Sequence, residues 1–210
     1  MDKYIFIQAR MSYSRLPGKV LLPFVESTVL QTIHKKCSCI SGVKAVVILT
    51  STEADDDKIQ ELCSVNDMQV FRGSLYNVLE RFQDAAKVIC KPQDFVVRLC
   101  ADSPLISPTL LQDFINDLNN DDVVLSTRCV SNKRITSTTG KGNNLDAIIA
   151  SELLNLSGHN ELIQEHIIYG FDYSRGFRLF KPSFELELEL HQNYDQCIDT
   201  AEDYSRLNKC

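Results

Sequence analysis

Three basic residues lie close together near the N-terminus, in a segment whose composition suits phosphate binding. Arg10, Arg15 and Lys19 fall within ten residues, and Pro17 and Gly18 supply a turn. Guanidinium groups bind phosphate oxygens through paired N–H donors, and a lysine ammonium adds a compact positive charge. The segment therefore predicts a loop that wraps a polyphosphate, with a solvated basic loop as the alternative. The glycine spacing of a Walker motif or a dinucleotide-binding fingerprint is absent.

Two carboxylates stand where predicted structural elements end or begin. Asp102 follows the apolar run Phe95–Cys100, and a carboxylate at a strand end can bind a Mg²⁺ ion that also carries phosphate oxygens. Asp199 precedes a short C-terminal helix pattern. Each has a structural alternative. Asp102 can cap a turn, and Thr200 with Asp203 can form an ordinary capping box beside Asp199.

The elements that must position these groups alternate along the first 126 residues. Apolar runs predict strands at 3–8, 43–49, 95–100 and 123–125, and helical spacing predicts helices at 110–115 and at 74–90, the latter with Ser74 as its N-cap. This alternation predicts an α/β protein with an open, mostly parallel sheet covered by helices in three layers. Because ligands bind beyond the carboxyl ends of parallel strands, the basic loop and Asp102 should face one cleft.

The remainder of the chain is less regular. Residues 127–144 are polar and predict a functional loop region. Apolar residues at helical spacing predict a helix at 161–171, and strict alternation at 184–190 predicts a half-exposed strand. Residues 200–207 predict a short closing helix.

The composition excludes several other classes of protein. The chain has 210 residues, 44% of them hydrophobic, and its net charge of −6 argues against a broad nucleic-acid-binding surface. No run in the sequence approaches the roughly 20 apolar residues of a membrane helix. The N-terminus turns polar by Gln8 and Arg10, so we predict a cytoplasmic protein. The eight cysteines include no Cys-x-x-Cys pair and are interpreted as apolar or exposed thiols in a reducing compartment.

Five groups of residues occur in the order that one family shows. They are Gln8–Leu21, Thr50–Glu53, Phe71–Ser74 with Asn77–Phe82, Val97–Ile106 and Asp199–Asp203. Together they resemble the cytidylyltransferase family of the spore-coat polysaccharide type, which is related to the enzymes that activate sialic acid and Kdo with CTP. The resemblance implies a nucleotide-diphospho-sugar transferase fold, GT-A or Rossmann-like, with residues 1–210 as a single domain. It also implies transfer of CMP from CTP to a sugar, with release of pyrophosphate and with Mg²⁺ as the cofactor.

The resemblance further implies roles for individual residues. The expected catalytic residues are Arg10, Lys19, Asp102 and Asp199, and the two aspartates are the expected Mg²⁺ ligands. The expected nucleotide contacts are Ala9, Arg10, Arg15, Lys19, Arg72, Gly73, Asn77 and Ala101. The expected sugar contacts are Asn144, Asp146, Glu165 and His166. The partners are then CTP and a small sugar, of which a nonulosonic or octulosonic acid fits the relatives best, with no nucleic acid and no membrane. Segment 127–173 is the expected sugar-binding region and a candidate dimerisation region.

Some positions depart from the family pattern. Tyr13 places a bulky phenol in the phosphate loop, Ala101 and Ser103 replace the usual Gly and Cys around the metal-binding Asp, and Asn144 stands where a Gly is usual. Two alternatives stay open: a glycosyltransferase of the same fold that uses a ready-made nucleotide sugar, and, because of Tyr13 and Ala101, a nucleotide-binding module without catalysis. His166 is interpreted as a hydrogen-bond partner of the sugar, with a general base and a structural histidine as alternatives.

Overall fold

The computed structural model contains the alternating strands and helices that the apolar patterns predict. It describes residues 1–131, 134–158, 160–171, 176–192 and 195–208. The strands are β1 (Lys3–Gln8), β2 (Pro23–Phe24), β3 (Ser27–Thr28), β4 (Ala45–Ser51), β5 (Gln69–Gly73), β6 (Phe95–Cys100), β7 (Val124–Ser126), β8 (Arg128–Ser131), β9 (Arg134–Ser137), β10 (Asp146–Ile149) and β11 (Phe177–Leu179). The α-helices are α1 (Val29–Ser38), α2 (Asp57–Val65), α3 (Val78–Ile89), α4 (Pro108–Asp117), α5 (Ala150–Asn155), α6 (Glu161–Glu165), α7 (Phe184–Gln192) and α8 (Ala201–Leu207). Short 3-10 turns cover Lys19–Leu21, Ala54–Asp56 and Ile167–Gly170.

Seven of these strands form one sheet in the order β11-β7-β10-β6-β1-β4-β5. β1 is parallel to β4 and to β6, and β4 is parallel to β5. β10 is antiparallel to both of its neighbours, and its register places Asp146 opposite Arg98 of β6 and Ser126 of β7. The predicted open and mostly parallel sheet is therefore confirmed, with one antiparallel strand inserted between β6 and β7.

Both faces of the sheet are covered by helices. In β1, Ile5 and Ile7 belong to one apolar cluster and Tyr4 and Phe6 to another, because successive side chains of a strand point to opposite faces. Helices α1 and α4 contribute to the first cluster, and α3 and α5 contribute to the second. Burial on both faces explains why the strands are continuous apolar runs, and the three-layer prediction is confirmed.

Helix α3 begins later than predicted. It starts at Val78, and the side chain of Asn77 accepts a hydrogen bond from the backbone N–H of Glu80 at 3.0 Å as its N-cap. The Oγ of Ser74 accepts instead from the backbone N–H of Asn77 at 3.2 Å. The prediction of Ser74 as the N-cap is therefore wrong. Ser and Asn cap helices about equally well, so residue type alone does not separate the two positions.

The strand predicted at 184–190 is also wrong, because Phe184–Gln192 forms α7. Leu186 and Leu190 are only 3% and 4% exposed, whereas Phe184 and Leu188 are 72% and 49% exposed. Residues four apart share one face of a helix, so the alternation of Leu with Glu also provides a narrow buried stripe on a helix. Leu and Glu are both strong helix formers, and this preference decides the outcome.

The segment predicted as one helix at 161–171 is interrupted. Helix α6 ends before His166, whose φ of −125° and ψ of 85° are not helical, and a 3-10 turn follows. The polar segment 127–144 contains the hairpin β8–β9 rather than a continuous loop. Within segment 127–173, the residues outside the described ranges are 132, 133, 159, 172 and 173.

Two short helices agree with the sequence. The predictions at 110–115 and 200–207 correspond to α4 and α8, and Thr200 forms the capping box with Asp203. Among the described residues, no helix has the length and apolar composition that crossing a membrane would require.

Candidate active site

A cavity of about 660 Å³ opens beside the carboxyl ends of β1 and β6, where Gln8 and Cys100 lie on its wall. Its lining includes several of the predicted site residues, namely Ala9, Arg10, Arg15, Lys19, Asp102, Glu165, His166 and Asp199. Ala101 is fully buried, and its backbone N–H donates to the carbonyl of Gln8 at 3.0 Å. The cleft expected from the strand ends is therefore present, and it brings the basic loop and both carboxylates together.

The loop after β1 is closed by its own backbone, which turns Lys19 inward. The N–H of Gly18 donates to the carbonyl of Met11 at 2.8 Å, and the N–H of Met11 donates to the Asp56 carboxylate at 2.7 Å. Gly18 has a φ of 72°, in the left-handed region that a residue with a Cβ adopts only with strain. The 3-10 turn starts directly after this glycine, so Gly18 sets the direction in which Lys19 leaves the loop.

Lys19 lies between the two carboxylates that the sequence assigned to a metal. Its ammonium donates to Asp102 Oδ2 at 3.0 Å, to Asp199 Oδ1 at 3.3 Å and to the carbonyl of Ile198 at 2.6 Å. The side chain is only 2% exposed. In this arrangement the ammonium faces protein oxygens on three sides, so its first function is to hold two negative charges together.

Asp199 also pairs with two basic side chains at the rim of the cavity. Its Oδ2 lies 2.9 Å from Arg15 and 2.9 Å from Lys141, side chains that are 63% and 46% exposed. Burial alone would raise the pKa of Asp199, but the hydrogen bond from Lys141 and the charges of Lys19 and Arg15 hold it below its usual value. Asp199 is therefore the point at which the basic loop, the polar segment after β9 and the C-terminal turn meet.

The donor atoms around this point fit a divalent cation. Asp102, Asp199 and Cys197 each present one possible ligand atom, and these atoms lie within 4.8 Å of one another. Asp102 is held by the Ser103 hydroxyl, which donates to Oδ1 at 3.2 Å, and its carbonyl accepts from the Ile198 N–H at 2.7 Å. Two carboxylates with part of their surface exposed, at 15% and 12%, suit a hard cation that also contacts a ligand.

Tyr13 covers the ammonium of Lys19 from the loop side. The Lys19 Nζ lies 4.2 Å from the centre of the phenol ring, and the guanidinium carbon of Arg10 lies 5.5 Å from it. Both distances are within the range of a cation–π interaction. Burial and the negative charge of Asp102 raise the pKa of Tyr13 well above its ordinary value, so the phenol stays neutral. Tyr13, which departs from the family pattern, therefore packs against the predicted phosphate-binding residues Arg10 and Lys19.

Asp146 lies behind the cavity wall, where it pairs with two arginines. It is 2% exposed, accepts from the Ser126 hydroxyl at 2.6 Å, and contacts both the Nε and Nη2 of Arg128. Arg98 donates to the same carboxylate at 3.4 Å and to the side chain of Gln8 at 3.0 Å. Burial opposes ionisation, yet the charges of Arg128 and Arg98 lower the pKa of Asp146. Its direct effect is to fix Arg98 and Arg128, which both line the cavity.

The three residues expected beside the nucleoside make contacts with the protein itself. Arg72 donates to the carbonyls of Ser51 and Glu53 at 2.7 and 2.9 Å and pairs with Asp57. Asn77 caps α3. A Cβ on Gly73 would lie 3.1 Å from Cγ of Arg81. None of Arg72, Gly73 and Asn77 is among the described residues that line the cavity.

Arg81 lines the cavity in their place. It is 2% exposed and donates to the carbonyl of Ser74 at 2.5 Å, but its Nε is buried without a hydrogen-bond partner among the described residues. Burial lowers the pKa of Arg81 to about 10, with the positive charges of Arg10 and Arg98 acting in the same direction. A buried guanidinium with an unused N–H needs an acceptor, and a shift of the Arg81 side chain into the cavity would bring this N–H to an acceptor on a ligand.

Three of the four expected sugar contacts line a cavity, whereas Asp146 is not among the described residues that line either one. Glu165 and His166 line the main cavity, whereas Asn144 lines a neighbouring one of about 200 Å³ that shares Asp102 and Asp199 with it. The Asn144 Oδ1 is buried without a hydrogen-bond partner in the described part of the chain. Burial and the charges of Arg98 and Arg128 lower the pKa of His166, which keeps its imidazole neutral near pH 7.

Several residues of the site were not assigned from the sequence. They are Arg81, Arg98, Arg128, Lys141 and Cys197. Arg98 carried a usable signal, because a charge inside the apolar run of β6 must find a buried partner. Arg128 and Lys141 lie in the polar segment, where no such signal marks them. The only sequence signal for Cys197 is its position two residues before Asp199.

Comparisons with known proteins give consistent matches. A family model described as cytidylyltransferase matches residues 4–208. The spore coat polysaccharide biosynthesis protein SpsF of Bacillus subtilis is 36% identical over 118 residues, which cover 54% of this chain and 48% of that protein. The chain spans about half the length of the curated relatives it matches.

Solved structures match over the whole chain. A cytidylyltransferase from Leptospira borgpetersenii is 30% identical, with a TM-score of 0.83, and the match covers 100% of this chain and 86% of that one. The structure of CMP:2-keto-3-deoxy-manno-octonic acid synthetase complexed with CTP has a TM-score of 0.70 at 15% identity, covering 100% and 98%. The second match concerns the fold alone.

Proposed function

The chain belongs to the cytidylyltransferase family, and from this membership we propose that it transfers CMP from CTP to a sugar acid and releases pyrophosphate, for synthesis of a surface polysaccharide or glycan. The observation that supports this most is the meeting of Lys19, Asp102 and Asp199 in one cavity with Arg10 and Arg15. Cations for phosphate oxygens and carboxylates for a metal ion are the two sets of groups that a nucleoside triphosphate needs.

In the proposed reaction, a sugar hydroxyl attacks the α-phosphorus of CTP. The hydroxyl oxygen forms the new bond to phosphorus, the bond from the α-phosphorus to the bridging oxygen of the β-phosphate breaks, and the hydroxyl proton passes to water. Positioning and charge stabilisation dominate such transfers. Arg10 and Arg15, on the loop after β1, are the proposed contacts of the departing pyrophosphate.

Lys19 is proposed to act mainly by organising the two carboxylates. Contact of its ammonium with a phosphate would have to replace hydrogen bonds to Asp102, Asp199 or the Ile198 carbonyl. Because these bonds are buried, we assign Lys19 to the pre-organised wall of the site and keep a phosphate contact as a secondary role. A pre-organised charge costs no rearrangement when the reaction begins.

Asp102 and Asp199 are the proposed ligands of Mg²⁺. When bound, Mg²⁺ would neutralise negative charge that builds up on the phosphate oxygens during transfer. Arg15 and Lys141 contact the same Asp199 oxygen from exposed positions, and exposed ion pairs contribute little stability. Both side chains are therefore available to turn from Asp199 towards a triphosphate once a metal ion is bound.

The base of CTP is assigned to the end of the cavity at Arg81. Cytosine presents two adjacent acceptors, N3 and O2, whereas uracil carries a hydrogen on N3. Arg81 lines the cavity and its Nε lacks a partner among the described residues, so a shift of the side chain that exposes this N–H would allow a contact with such acceptors. Gly73 would contribute through its close packing on Arg81, and roles for Arg72, Asn77 and Ala101 in nucleotide binding stay predictions.

The sugar is proposed to be an acid of the nonulosonic or octulosonic class. Arg98 and Arg128 line the cavity with Asp146 as their shared counter-ion, which leaves one formal positive charge in this group. A sugar carboxylate is a suitable partner for that charge. Glu165 and the neutral His166, which line the main cavity, would bind sugar hydroxyls. Asn144 would contact the part of the sugar that reaches the smaller cavity next to Asp102.

A pyrophosphate-release screen tests this proposal. The protein is supplied with Mg²⁺, each of the four common nucleoside triphosphates, and a panel of sugar acids and neutral hexoses. We expect release with CTP and a sugar acid. Release with GTP or UTP but not CTP would contradict the cytidylyl assignment. CTP binding without any product would indicate the inactive binding module. A parallel assay supplies a ready-made nucleotide sugar with the same panel as acceptors, and sugar transfer in it would indicate the glycosyltransferase.

Segment 127–173 keeps its proposed roles in sugar binding and subunit contact. Light scattering at micromolar concentration measures the second role directly, and a monomer alone would contradict a homodimer. The reaction requires a compartment that supplies CTP, so the cytoplasm stays the predicted location.

A further inference from the structure

Cys197 lies beside the two carboxylates that are proposed to bind Mg²⁺. One possible ligand atom from each of Asp102, Cys197 and Asp199 falls within the same 4.8 Å group, and Cys197 lines the smaller cavity next to them. The residue is 7% exposed. We propose that Cys197 is a third, sulfur ligand of this metal centre, so that the centre binds thiophilic divalent cations such as Co²⁺, Zn²⁺ and Cd²⁺ more tightly than its carboxylates alone would.

The backbone around Cys197 is fixed on both sides, which holds the thiol near the carboxylates. The N–H of Ile198 donates to the carbonyl of Asp102 at 2.7 Å, and the N–H of Cys197 lies 3.4 Å from Asp195 Oδ1. Gly142 packs so closely that a Cβ there would lie 3.0 Å from the Cys197 nitrogen. The backbone of Cys197 therefore stays next to the carboxylates, and the sulfur can move only by rotation about χ1.

The donor atoms can reach one ion after a local adjustment of the side chains. In a tetrahedral site, metal–sulfur bonds of about 2.3 Å and metal–oxygen bonds of about 2.1 Å place neighbouring ligand atoms about 3.4–3.6 Å apart. Atoms within 4.8 Å of one another therefore need to approach by up to about 1.4 Å, which side-chain rotation can supply. A bound soft cation replaces the thiol proton, which is released to water, and thiolate ligands select soft cations over Mg²⁺.

The basic side chains that pair with the two carboxylates can be displaced by such an ion or remain beside it. Arg15 and Lys141 reach Asp199 from exposed positions, so their pairs are replaced at low cost. Lys19 would keep the Ile198 carbonyl, which it contacts at 2.6 Å, and its ammonium can remain beside a metal-bound carboxylate. The mixed donor set thus supplies two hard oxygens, one soft sulfur and a fixed positive neighbour.

The inference rests on the proposed metal site, but its test needs neither CTP nor sugar. The protein is titrated with Co²⁺ while the sulfur-to-metal charge-transfer absorption is recorded, and Cd²⁺ and Mg²⁺ affinities are measured by calorimetry. We expect a charge-transfer band in the unaltered protein, loss of the band in Cys197→Ser, and a fall of at least about tenfold in Cd²⁺ affinity. The affinity for Mg²⁺ should change far less, because Mg²⁺ prefers oxygen.

Two matched variants identify the source of any band. Cys100→Ser removes a second nearby thiol, which lines both cavities, and Cys39→Ser removes an exposed thiol. Both variants should retain the band. As a separate variant, Asp102→Asn should also weaken Co²⁺ binding, as Cys197→Ser does. A band that is lost in Cys100→Ser or Cys39→Ser instead would overturn the assignment.

The unaltered protein alone also decides the question if Cys197→Ser fails to fold. Absence of charge-transfer absorption at saturating Co²⁺ would show that no thiolate binds the ion. A failure of the sugar transfer in the pyrophosphate screen, with the band present, would count against the proposed function and leave Cys197 as a ligand.

Discussion

The ammonium of Lys19 donates to the backbone carbonyl of Ile198 at 2.6 Å, across 179 positions of the chain. The bond joins the loop after the first strand to the turn before the last helix, and it does so inside the candidate active site. One buried side chain therefore serves the closure of the fold and the geometry of the two carboxylates. This double function makes Lys19 the most informative residue for mutation.

Substitution of Lys19 by Met should lower stability as well as activity. It leaves Asp102 and Asp199 without their buried counter-ion, and we expect a loss of about 2–3 kcal/mol, less than the roughly 3–5 kcal/mol of a fully buried pair because both carboxylates retain some exposure. Urea unfolding measures the change. Lys44→Met removes an exposed lysine that lies 4.0 Å from Asp2, and it should change stability by less than about 0.5 kcal/mol. Equal effects of the two variants would contradict the buried role.

Asp102→Asn should abolish most of the activity while the fold is retained. The amide keeps the shape of the side chain and loses the charge that a metal ion and Lys19 require. We expect turnover to fall by at least about 100-fold, the scale of a lost transition-state charge contact. Pyrophosphate release and circular dichroism provide the measurements, with Asp121→Asn on an exposed loop as the matched control. Turnover near normal in Asp102→Asn would remove this residue from the metal site.

Arg81→Lys should weaken CTP binding and its discrimination from UTP. Lysine keeps the positive charge but removes the buried Nε–H that lacks a partner. We expect the KM for CTP to rise by about 10-fold or more, as when a buried polar contact worth about 1–3 kcal/mol is lost, with a smaller change in kcat. Gly73→Ala should act in the same direction, because its new Cβ would press on Arg81.

The matched control for that experiment is Arg206→Lys, an exposed position on α8. It should leave the CTP to UTP ratio unchanged. An unchanged ratio in Arg81→Lys as well would place the base elsewhere in the cavity.

Acidification should destabilise the protein partly through Asp199. Its pKa lies below the ordinary value of 3.8 in the folded chain, so the stabilisation is complete above that value and is lost as the pH falls towards the folded pKa. Urea unfolding without added divalent cations, in steps from about pH 5.5 to 3, measures the slope. Asp199→Asn should flatten the slope below pH 3.8, whereas Asp121→Asn should not. A slope that Asp199→Asn leaves unaltered would mean that other carboxyls carry the effect.

The sequence predicts those elements best whose apolar pattern has one structural solution. The runs in β1 and β6 are buried on both faces, and Pro108 with helical spacing defines α4. The segment at 184–190 fails because alternation of Leu with Glu satisfies a strand and also places Leu186 and Leu190 on one helix face. Propensity, which the periodicity argument leaves out, separates the two.

The candidate site divides in the same way. The sequence predicts that Arg10, Lys19 and Asp102 lie close together, because they follow adjacent parallel strands whose carboxyl ends meet at one edge of the sheet. The sequence does not predict the pairing of Asp146 with Arg98 and Arg128, because this pairing depends on the antiparallel position of β10 between β6 and β7. Strand order of this kind is decided by contacts distant in sequence, and no local pattern reports it.

The insertion of β10 has a consequence for folding accuracy. Its register sets Asp146 opposite Arg98, and a slip of one residue would turn the Asp146 side chain to the other face of the sheet. Arg98 and Arg128 would then be buried without a counter-ion, at a cost of several kcal/mol. A misaligned sheet is thus penalised by the same carboxylate that directs both arginines to the cavity wall. The ion pairs that orient the two arginines therefore also favour the correct register of β10.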